Sequence, residues 1–175
     1  MYAKHYETGE VIPAQLVEKI QKASAFNQGF MTTELVAAAL LDMKWHSITA
    51  TPNFNPRNQE GVKEIDVRQF EADAMKEIGL PSEIIPRYRS TYFNHVFSGG
   101  YSAGYYSYLW SEVLDSDAYQ AFVEKGNIFD PATAKSFREN VLSKGGSEEP
   151  MTLYKNFRGA EPNPIFLLKN RGFVK

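Results

Sequence analysis

Apolar residues recur along most of the chain at spacings of three and four, which is the period of an amphipathic helix. Leu16, Val17 and Ile20 follow this spacing after Pro13, a residue that suits the first turn of a helix. The run LVAAALL at 35–41 is apolar on nearly every side and therefore predicts a buried core helix. The whole pattern predicts helices at about 13–25, 27 or 32 to 47, 66–78, 102–124, 131–143, 150–157 and 163–170.

The rest of the pattern predicts an all-α fold. Residues 50–62 read ATPNFNPRNQEGV and predict a loop, because prolines, asparagines and a glycine interrupt any regular period. No pair of alternating apolar–polar runs joined by a tight turn stands out, and no repeat is visible. We therefore expect residues 1–175 to form one helical unit of ordinary domain size.

The stretch that carries most of the candidate chemistry is YFNHVFSGGYSAGYYSYLW at 92–110. Glycines 99 and 100 let the backbone adopt positive φ and approach a ligand closely. Tyr101, Tyr105 and Tyr108 follow at i, i+4 and i+7, which predicts a row of phenols on one side of a helix beginning near Ser102. A neutral phenol donates a hydrogen bond well, so such a row can bind substrate or stabilise an oxyanion.

Composition narrows the classes of partner. There are 19 basic and 21 acidic residues, a net charge of −2, which gives no reason to expect nucleic acid or an anionic membrane as partner. Cysteine is absent, so a disulfide framework and a thiolate nucleophile are both excluded. No apolar run approaches the roughly 20 residues of a membrane span. The polar N-terminus and the lack of cysteine favour the cytoplasm.

Two short motifs resemble those of known enzyme classes. GYSAG at 100–104 matches the G-x-S-x-G elbow of α/β-hydrolases, which would make Ser102 a nucleophile. That elbow needs a preceding strand and a later histidine, whereas every histidine here precedes Ser102, so a helix N-cap is the favoured role for this serine. Gly99 and Gly104 begin a phosphate-loop pattern, but tyrosines occupy the positions of its lysine and its Ser/Thr.

The three histidines are His5, His46 and His95, and no two lie within forty residues of each other, so no helical zinc pair is available. His46 ends an apolar helix and suits its negative end. His5 is expected to be exposed, and His95 adjoins the glycine turn. From the residues alone, the tyrosine stripe remains either core packing or a polar ligand surface.

A wider resemblance bears on this choice. FNHVFSGGYSAGYYSYLWSEVLDSDAY at 93–119 resembles the substrate-binding segment of the thimet oligopeptidase and peptidyl-dipeptidase family of zinc metallopeptidases. Similar matches cover nearly the whole chain: HYETGEVIP (5–13), FNQGF (26–30), AALLDMKWH (38–46), LSKGGSEEPMTLYKNFRGAEP (142–162) and LLKNRGF (167–173). Within the family, the pattern looks closest to bacterial dipeptidyl carboxypeptidase, with oligopeptidase A next.

The resemblance implies a zincin-like helical fold and hydrolysis of short peptides, with release of C-terminal dipeptides. The family's HExxH motif and its downstream glutamate ligand are absent here. The chain thus resembles the C-terminal part of the catalytic domain, and we expect residues 1–175 alone to bind no zinc and to be inactive. The Zn²⁺ ligands, and the rest of the catalytic domain as a partner, would belong to a full-length parent. Self-association of the isolated chain is also expected.

By the same resemblance, Tyr108 matches the tyrosine that donates to the oxyanion, and His95 matches a histidine that binds the substrate backbone. Tyr101 matches a substrate-contacting tyrosine, with Tyr105 beside it and Gly99 and Gly100 in a turn that can close over the peptide. The arginines at 87, 89 and 158 are candidates for a substrate carboxylate, although a solvated surface suits each of them too. The alternative is a self-standing helical module that binds peptides or partners without catalysis.

Overall fold

The computed structural model describes residues 3–49 and 64–175. These residues form eight α-helices: α1 Ala14–Ser24, α2 Gln28–His46, α3 Val67–Glu77, α4 Asn94–Phe97, α5 Ser107–Glu124, α6 Pro131–Phe137, α7 Pro150–Arg158 and α8 Ile165–Asn170. A 3₁₀ turn occupies Ser90–Tyr92, and a π-helical turn occupies Arg138–Leu142. The all-α prediction is confirmed, since the described ranges contain only one isolated β-bridge, between Lys4 and Val11, and no strand. The loop predicted at 50–62 lies outside the described residues.

Several helix ends follow from local capping chemistry. Asp66 precedes α3 and accepts hydrogen bonds from the backbone N–H groups of Arg68 and Gln69, at 2.9 and 3.0 Å. Asp130 accepts from the Thr133 N–H at 2.7 Å, with Pro131 as the first residue of α6. These contacts satisfy amides that have no partner within the helix, so the predicted starts near 66 and 131 are confirmed.

The described chain groups into two compact units. One unit comprises Gly29–Tyr108, and the other comprises residues up to Gln28 together with Leu109–Lys175. The Gly29–Tyr108 unit has two buried apolar clusters, one of Ala37, Leu41, Ala74 and Met75, the other of Ala38, Phe93, Val96 and Tyr105. Helix α2 contributes to both clusters, which confirms that the apolar run at 35–41 forms a core helix.

The predicted start of the long helix near Ser102 is wrong. Helix α5 begins at Ser107, and residues 102–106 form a series of turns. Ala103 has a positive φ of 53°, which a right-handed helix does not accommodate, and Ser102 donates to the Val96 carbonyl at 2.6 Å instead of capping α5. Because no strand precedes it, Ser102 also lacks the setting of a hydrolase elbow within the described residues.

No helix in the described ranges is both long and apolar enough to cross a membrane. Helix α1 has no buried residue, and Ile20, Leu16 and Val17 on it are all exposed. Exposed aromatic and aliphatic side chains also include Phe26, at 78% of its full surface. The described residues thus expose several large apolar side chains.

Candidate substrate-binding site

The glycine turn after α4 is built by close backbone contact. A Cβ added at Gly99 would lie 2.8 Å from both the Cα and the carbonyl oxygen of His95, so no larger residue fits there without movement. Gly100 has a φ of +83°, which favours glycine. The Tyr101 N–H then donates to the His95 carbonyl at 3.0 Å, so the chain folds back upon the histidine. The backbone geometry therefore favours glycine at both positions, in addition to the role predicted for the turn in substrate binding.

This turn brings His95 and the three tyrosines together. The ring centroid of His95 lies 6.3 Å from that of Tyr101, 5.7 Å from that of Tyr105 and 6.4 Å from that of Tyr108. Tyr101 and Tyr108 stack at 5.3 Å with an angle of 23° between their planes, and Tyr105 lies 5.1 Å from Tyr108. The predicted row is thus a cluster, although only Tyr108 of the three lies on a helix.

The members of the cluster differ in exposure and in electrostatics. Tyr105 is buried, and this burial raises the pKa of its hydroxyl above the ordinary value against the opposing effect of Arg87. Tyr101 and Tyr108 are each 38% exposed. A hydrogen bond with the Tyr101 side chain, followed by partial desolvation, raises the pKa of Tyr108. Tyr108 therefore remains a protonated donor at neutral and mildly alkaline pH.

His95 has an unused polar atom. Its ring is partly buried, and its Nδ1 is inaccessible to solvent yet has no hydrogen-bond partner in the part of the chain that the structure describes. A buried polar atom without a partner costs free energy, so its presence in a native structure calls for an explanation, of which a functional role is one.

Sequence reasoning missed Tyr88 and Asp42. Tyr88 stacks on Phe93 at 5.2 Å, and its ring centroid lies 4.8 Å from that of His95, so it forms another wall of the cluster. Its position in an irregular segment gave no periodic signal. Asp42 is fully buried on α2 and contacts the turn between Tyr101 and Tyr105. An acid directly after the apolar run at 35–41 is a signal that could have found it.

The three candidate arginines have different surroundings. Arg158 binds Glu124 with two parallel hydrogen bonds, at 2.8 and 2.9 Å, and Arg89 binds the buried Glu71. The guanidinium carbon of Arg87 lies 5.8 Å from the ring centroid of Tyr88, and Arg87 is exposed without an ion-pair partner among residues 3–49 and 64–175. Of the three, Arg87 alone is placed beside the aromatic cluster with its charge available.

The other histidines have local roles. His5 is exposed, as predicted, and its Nδ1 accepts long hydrogen bonds from the Glu7 and Thr8 amides. His46 is the last residue of α2, and its Nδ1 lies 2.9 Å from the Asp42 carbonyl oxygen. Within the described ranges, no group of three or more His, Cys, Asp or Glu side chains could hold a metal ion. These residues therefore do not fit a zinc site.

The arrangement is suited to hydrogen bonding with a peptide. Phenol hydroxyls can donate to a carbonyl or an oxyanion, and an imidazole nitrogen can bond to a backbone group. The aromatic walls offer apolar contact that depends little on side-chain sequence.

Comparison with known proteins shows to which family this chain belongs. Peptidase family M3 matches residues 1–173. The chain is 44% identical over 173 residues to dipeptidyl carboxypeptidase of Salmonella typhimurium and 42% identical over 171 residues to that of Escherichia coli, with 98% of this chain and 24% of each relative covered. It is 41% identical over 168 residues to oligopeptidase A of Salmonella typhimurium, covering 96% of this chain and 23% of that protein. The chain thus spans about a quarter of the length of these relatives. The match extends over nearly every residue, and the resemblance noted from the motifs is confirmed: this chain belongs to peptidase family M3.

Proposed function

We propose that this chain is the substrate-binding and oxyanion-stabilising part of a zinc-dependent peptidase that hydrolyses short peptides and releases C-terminal dipeptides. Residues 1–175 would be the C-terminal part of its catalytic domain, working with the remainder of that domain in the cytoplasm. The observation that carries the proposal is the cluster of unsatisfied and exposed polar groups around His95. Buried polar groups in a purely structural cluster are for the most part hydrogen-bonded internally.

The roles within the cluster follow from position and exposure. Tyr108 lies at the start of α5 with its hydroxyl beside that of Tyr101, so either phenol can turn from its neighbour to an incoming oxygen. We assign to Tyr108 the hydrogen bond to the oxyanion that forms when water attacks the scissile carbonyl. His95 would bond to the substrate backbone, and Tyr101 would contact the substrate from the glycine turn. The buried Tyr105 supports the other two rings.

Specificity for a free C-terminus would come from Arg87. A substrate carboxylate placed beside the cluster would meet this exposed guanidinium, which can bind a carboxylate through two parallel hydrogen bonds. Arg89 and Arg158 already bind glutamates and are not assigned this role.

The proposal includes zinc as a cofactor of the whole enzyme, bound by residues outside this chain. Since the described side chains do not fit a metal site, we assign the zinc ligands to sequence outside this chain and derive no step through the metal. We expect the isolated 175-residue chain to bind no stoichiometric zinc and to hydrolyse no peptide.

The test uses the protein expressed from the complete reading frame that contains this chain. Fluorogenic peptides with free C-termini are assayed with and without a chelator, and products are identified by mass spectrometry. We expect dipeptide release that the chelator abolishes and zinc restores. Peptide binding without hydrolysis by a metal-supplemented protein would contradict the proposal and favour the non-catalytic module, as would hydrolysis that the chelator leaves unchanged.

A further inference from the structure

Asp42 is a buried carboxylate with an unusual set of partners. Its exposed fraction is zero, and both oxygens contact the turn that precedes α5. Oδ1 accepts the N–H of Ala103 at 3.0 Å, and Oδ2 accepts the N–H of Tyr105 at 2.9 Å. His46 Nδ1 lies 2.7 Å from Oδ1. A single side chain on α2 therefore holds two backbone amides more than sixty residues further along the chain.

His46 completes the environment of this carboxylate. Its Nδ1 is close to the Asp42 carbonyl oxygen as well as to Oδ1, and both of these neighbours are acceptors. The Nδ1 atom must therefore carry a hydrogen, whichever state the other ring nitrogen adopts. The buried carboxylate thus has two amide hydrogen bonds and a third polar neighbour in Nδ1, 2.7 Å from Oδ1, which together offset the cost of removing its charge from water.

These contacts also account for the late start of α5. The amides of Ala103 and Tyr105 lie in a non-helical turn, where they need acceptors from elsewhere, and the Asp42 carboxylate supplies both. The Tyr105 carbonyl then accepts the N–H of Tyr108 at 3.3 Å in the first turn of the helix. A direct chain of contacts thus runs from Asp42 through the Tyr105 backbone to Tyr108.

We propose that Asp42 is a positioning residue, whose buried carboxylate fixes the backbone of residues 103–105 so that Tyr105 and Tyr108 keep their places beside His95. This inference rests on the proposed function for its catalytic consequence, because it acts through the tyrosines that bind the peptide. The geometric part, the hold of Asp42 on the turn, does not depend on catalysis and is tested separately.

The first experiment measures amide hydrogen exchange by NMR in the 175-residue chain. Asp42→Asn keeps the shape of the side chain but leaves one oxygen to serve two amides. We expect exchange at Ala103 and Tyr105 to accelerate roughly tenfold or more, while the amides in the middle of α2 keep their protection. The matched control is Asp117→Asn, which alters another buried carboxylate that contacts no amide of the turn. Unchanged protection at Ala103 and Tyr105 in Asp42→Asn would overturn the inference.

If Asp42→Asn does not fold, His46→Gln provides the same test in a milder form. It leaves the carboxylate in place but alters the group that orients it, and we expect faster exchange at the same two amides by roughly threefold. Protection equal to that of the unaltered chain would contradict the inference.

The second experiment is a double-mutant cycle in the protein expressed from the complete reading frame. We expect Asp42→Asn to lower kcat by roughly 10- to 100-fold, and to lower it less than threefold when Tyr108→Phe is already present, because both changes remove the same contribution. A purely structural role would instead give the full loss in both backgrounds, and that result would overturn the catalytic part of the inference. If Tyr108→Phe by itself leaves kcat unchanged, the proposed function fails, whereas the hydrogen-exchange result still decides whether Asp42 holds the turn.

Discussion

Two regions of this protein combine tyrosine with a buried carboxylate, and they use the combination differently. In the Leu109–Lys175 part, the Tyr154 hydroxyl donates to Asp117 at 2.6 Å, and Arg158 lies 3.3 Å from the same Oδ2. Tyr154 is buried, and burial together with the hydrogen bond to Asp117 raises the pKa of its hydroxyl. In the Gly29–Tyr108 unit, by contrast, Asp42 binds backbone amides and leaves the tyrosine hydroxyls to other partners.

The difference shows which network is complete. Around Tyr154, the network is complete in the sense that each side chain binds another: Arg158 also binds Glu124 and thereby lowers the pKa of that carboxyl. The buried Arg158 Nε lies 3.3 Å from Asp117 Oδ2 and forms no hydrogen bond among the described residues. Around His95, two phenols are partly exposed and the imidazole Nδ1 has no partner within the described residues. A complete network stabilises the fold, whereas an incomplete one retains hydrogen-bonding capacity for a ligand.

Removal of Asp117 should cause the largest loss of stability. Asp117→Ala in the 175-residue chain leaves the Tyr154 hydroxyl and one edge of Arg158 without their buried acceptor, so we expect the free energy of unfolding to fall by about 3 kcal/mol. Urea titration followed by circular dichroism measures this. Asp115→Ala is the matched control, since Asp115 is exposed on the same helix and its loss should cost less than about 0.5 kcal/mol. Equal effects of the two changes would refute the complete-network interpretation.

In the Gly29–Tyr108 unit, we expect substitution in the glycine turn to reduce stability. In Gly99→Ala, the new Cβ meets the His95 backbone at 2.8 Å, so we expect a loss of about 2 kcal/mol in the free energy of unfolding. The same urea titration applies. Gly146→Ala serves as the control, because a Cβ at Gly146 meets nothing within 4 Å. A neutral Gly99→Ala change would show that the close approach to His95 is not needed.

We expect Arg87 to contribute to the binding of substrates and not to the stability of the fold. In the protein expressed from the complete reading frame, Arg87→Met should raise KM about tenfold for a peptide with a free C-terminal carboxylate, which is the loss of one charge-assisted hydrogen-bonded pair. The same peptide with an amidated C-terminus is the control, and its KM should not change. Equal KM increases for both peptides would remove Arg87 from carboxylate binding.

Alkaline pH should weaken the complete network by a small amount. The pKa of Tyr154 is raised in the folded chain above the ordinary value near 10, so between these two values the unfolded state releases this proton while the folded state retains it. Stability therefore falls as pH rises above about 10. Urea titrations from pH 9 to pH 11 should show a shallower decline for Tyr154→Phe than for the unaltered chain. Tyr119→Phe, at an exposed tyrosine on α5, should leave the decline unchanged, and the same slope in all three proteins would contradict this assignment.

Much of the fold followed from the sequence because helix periodicity and capping are local. The apolar run of α2, the cap at Asp66 and the proline that opens α6 all have their causes within a few residues. The prediction for the start of α5 is wrong because the non-helical turn at 102–106 is held by Asp42, which lies more than sixty residues earlier and accepts the amides of Ala103 and Tyr105.

The candidate site was predictable to a similar extent. His95 and the tyrosines were found because they share one stretch of sequence, and the rings do meet. Tyr88 and the engagement of Arg158 by Glu124 were not found, because each depends on a contact between segments distant in the chain. Only the folded arrangement distinguishes an arginine that is already paired from one that is available.

The most direct test compares the loss of a single hydroxyl from each region, as Tyr108→Phe and Tyr154→Phe in the protein expressed from the complete reading frame. Steady-state kinetics with a fluorogenic peptide and urea titration are measured for both variants, after their metal content has been matched. Tyr108→Phe should lower kcat by roughly 10²–10³ with little change in KM or in stability. Tyr154→Phe should lower the free energy of unfolding by about 2 kcal/mol and leave kcat within about twofold. A Tyr108→Phe enzyme with unchanged kcat and reduced stability would show that the cluster around His95 is core packing, and would contradict the account.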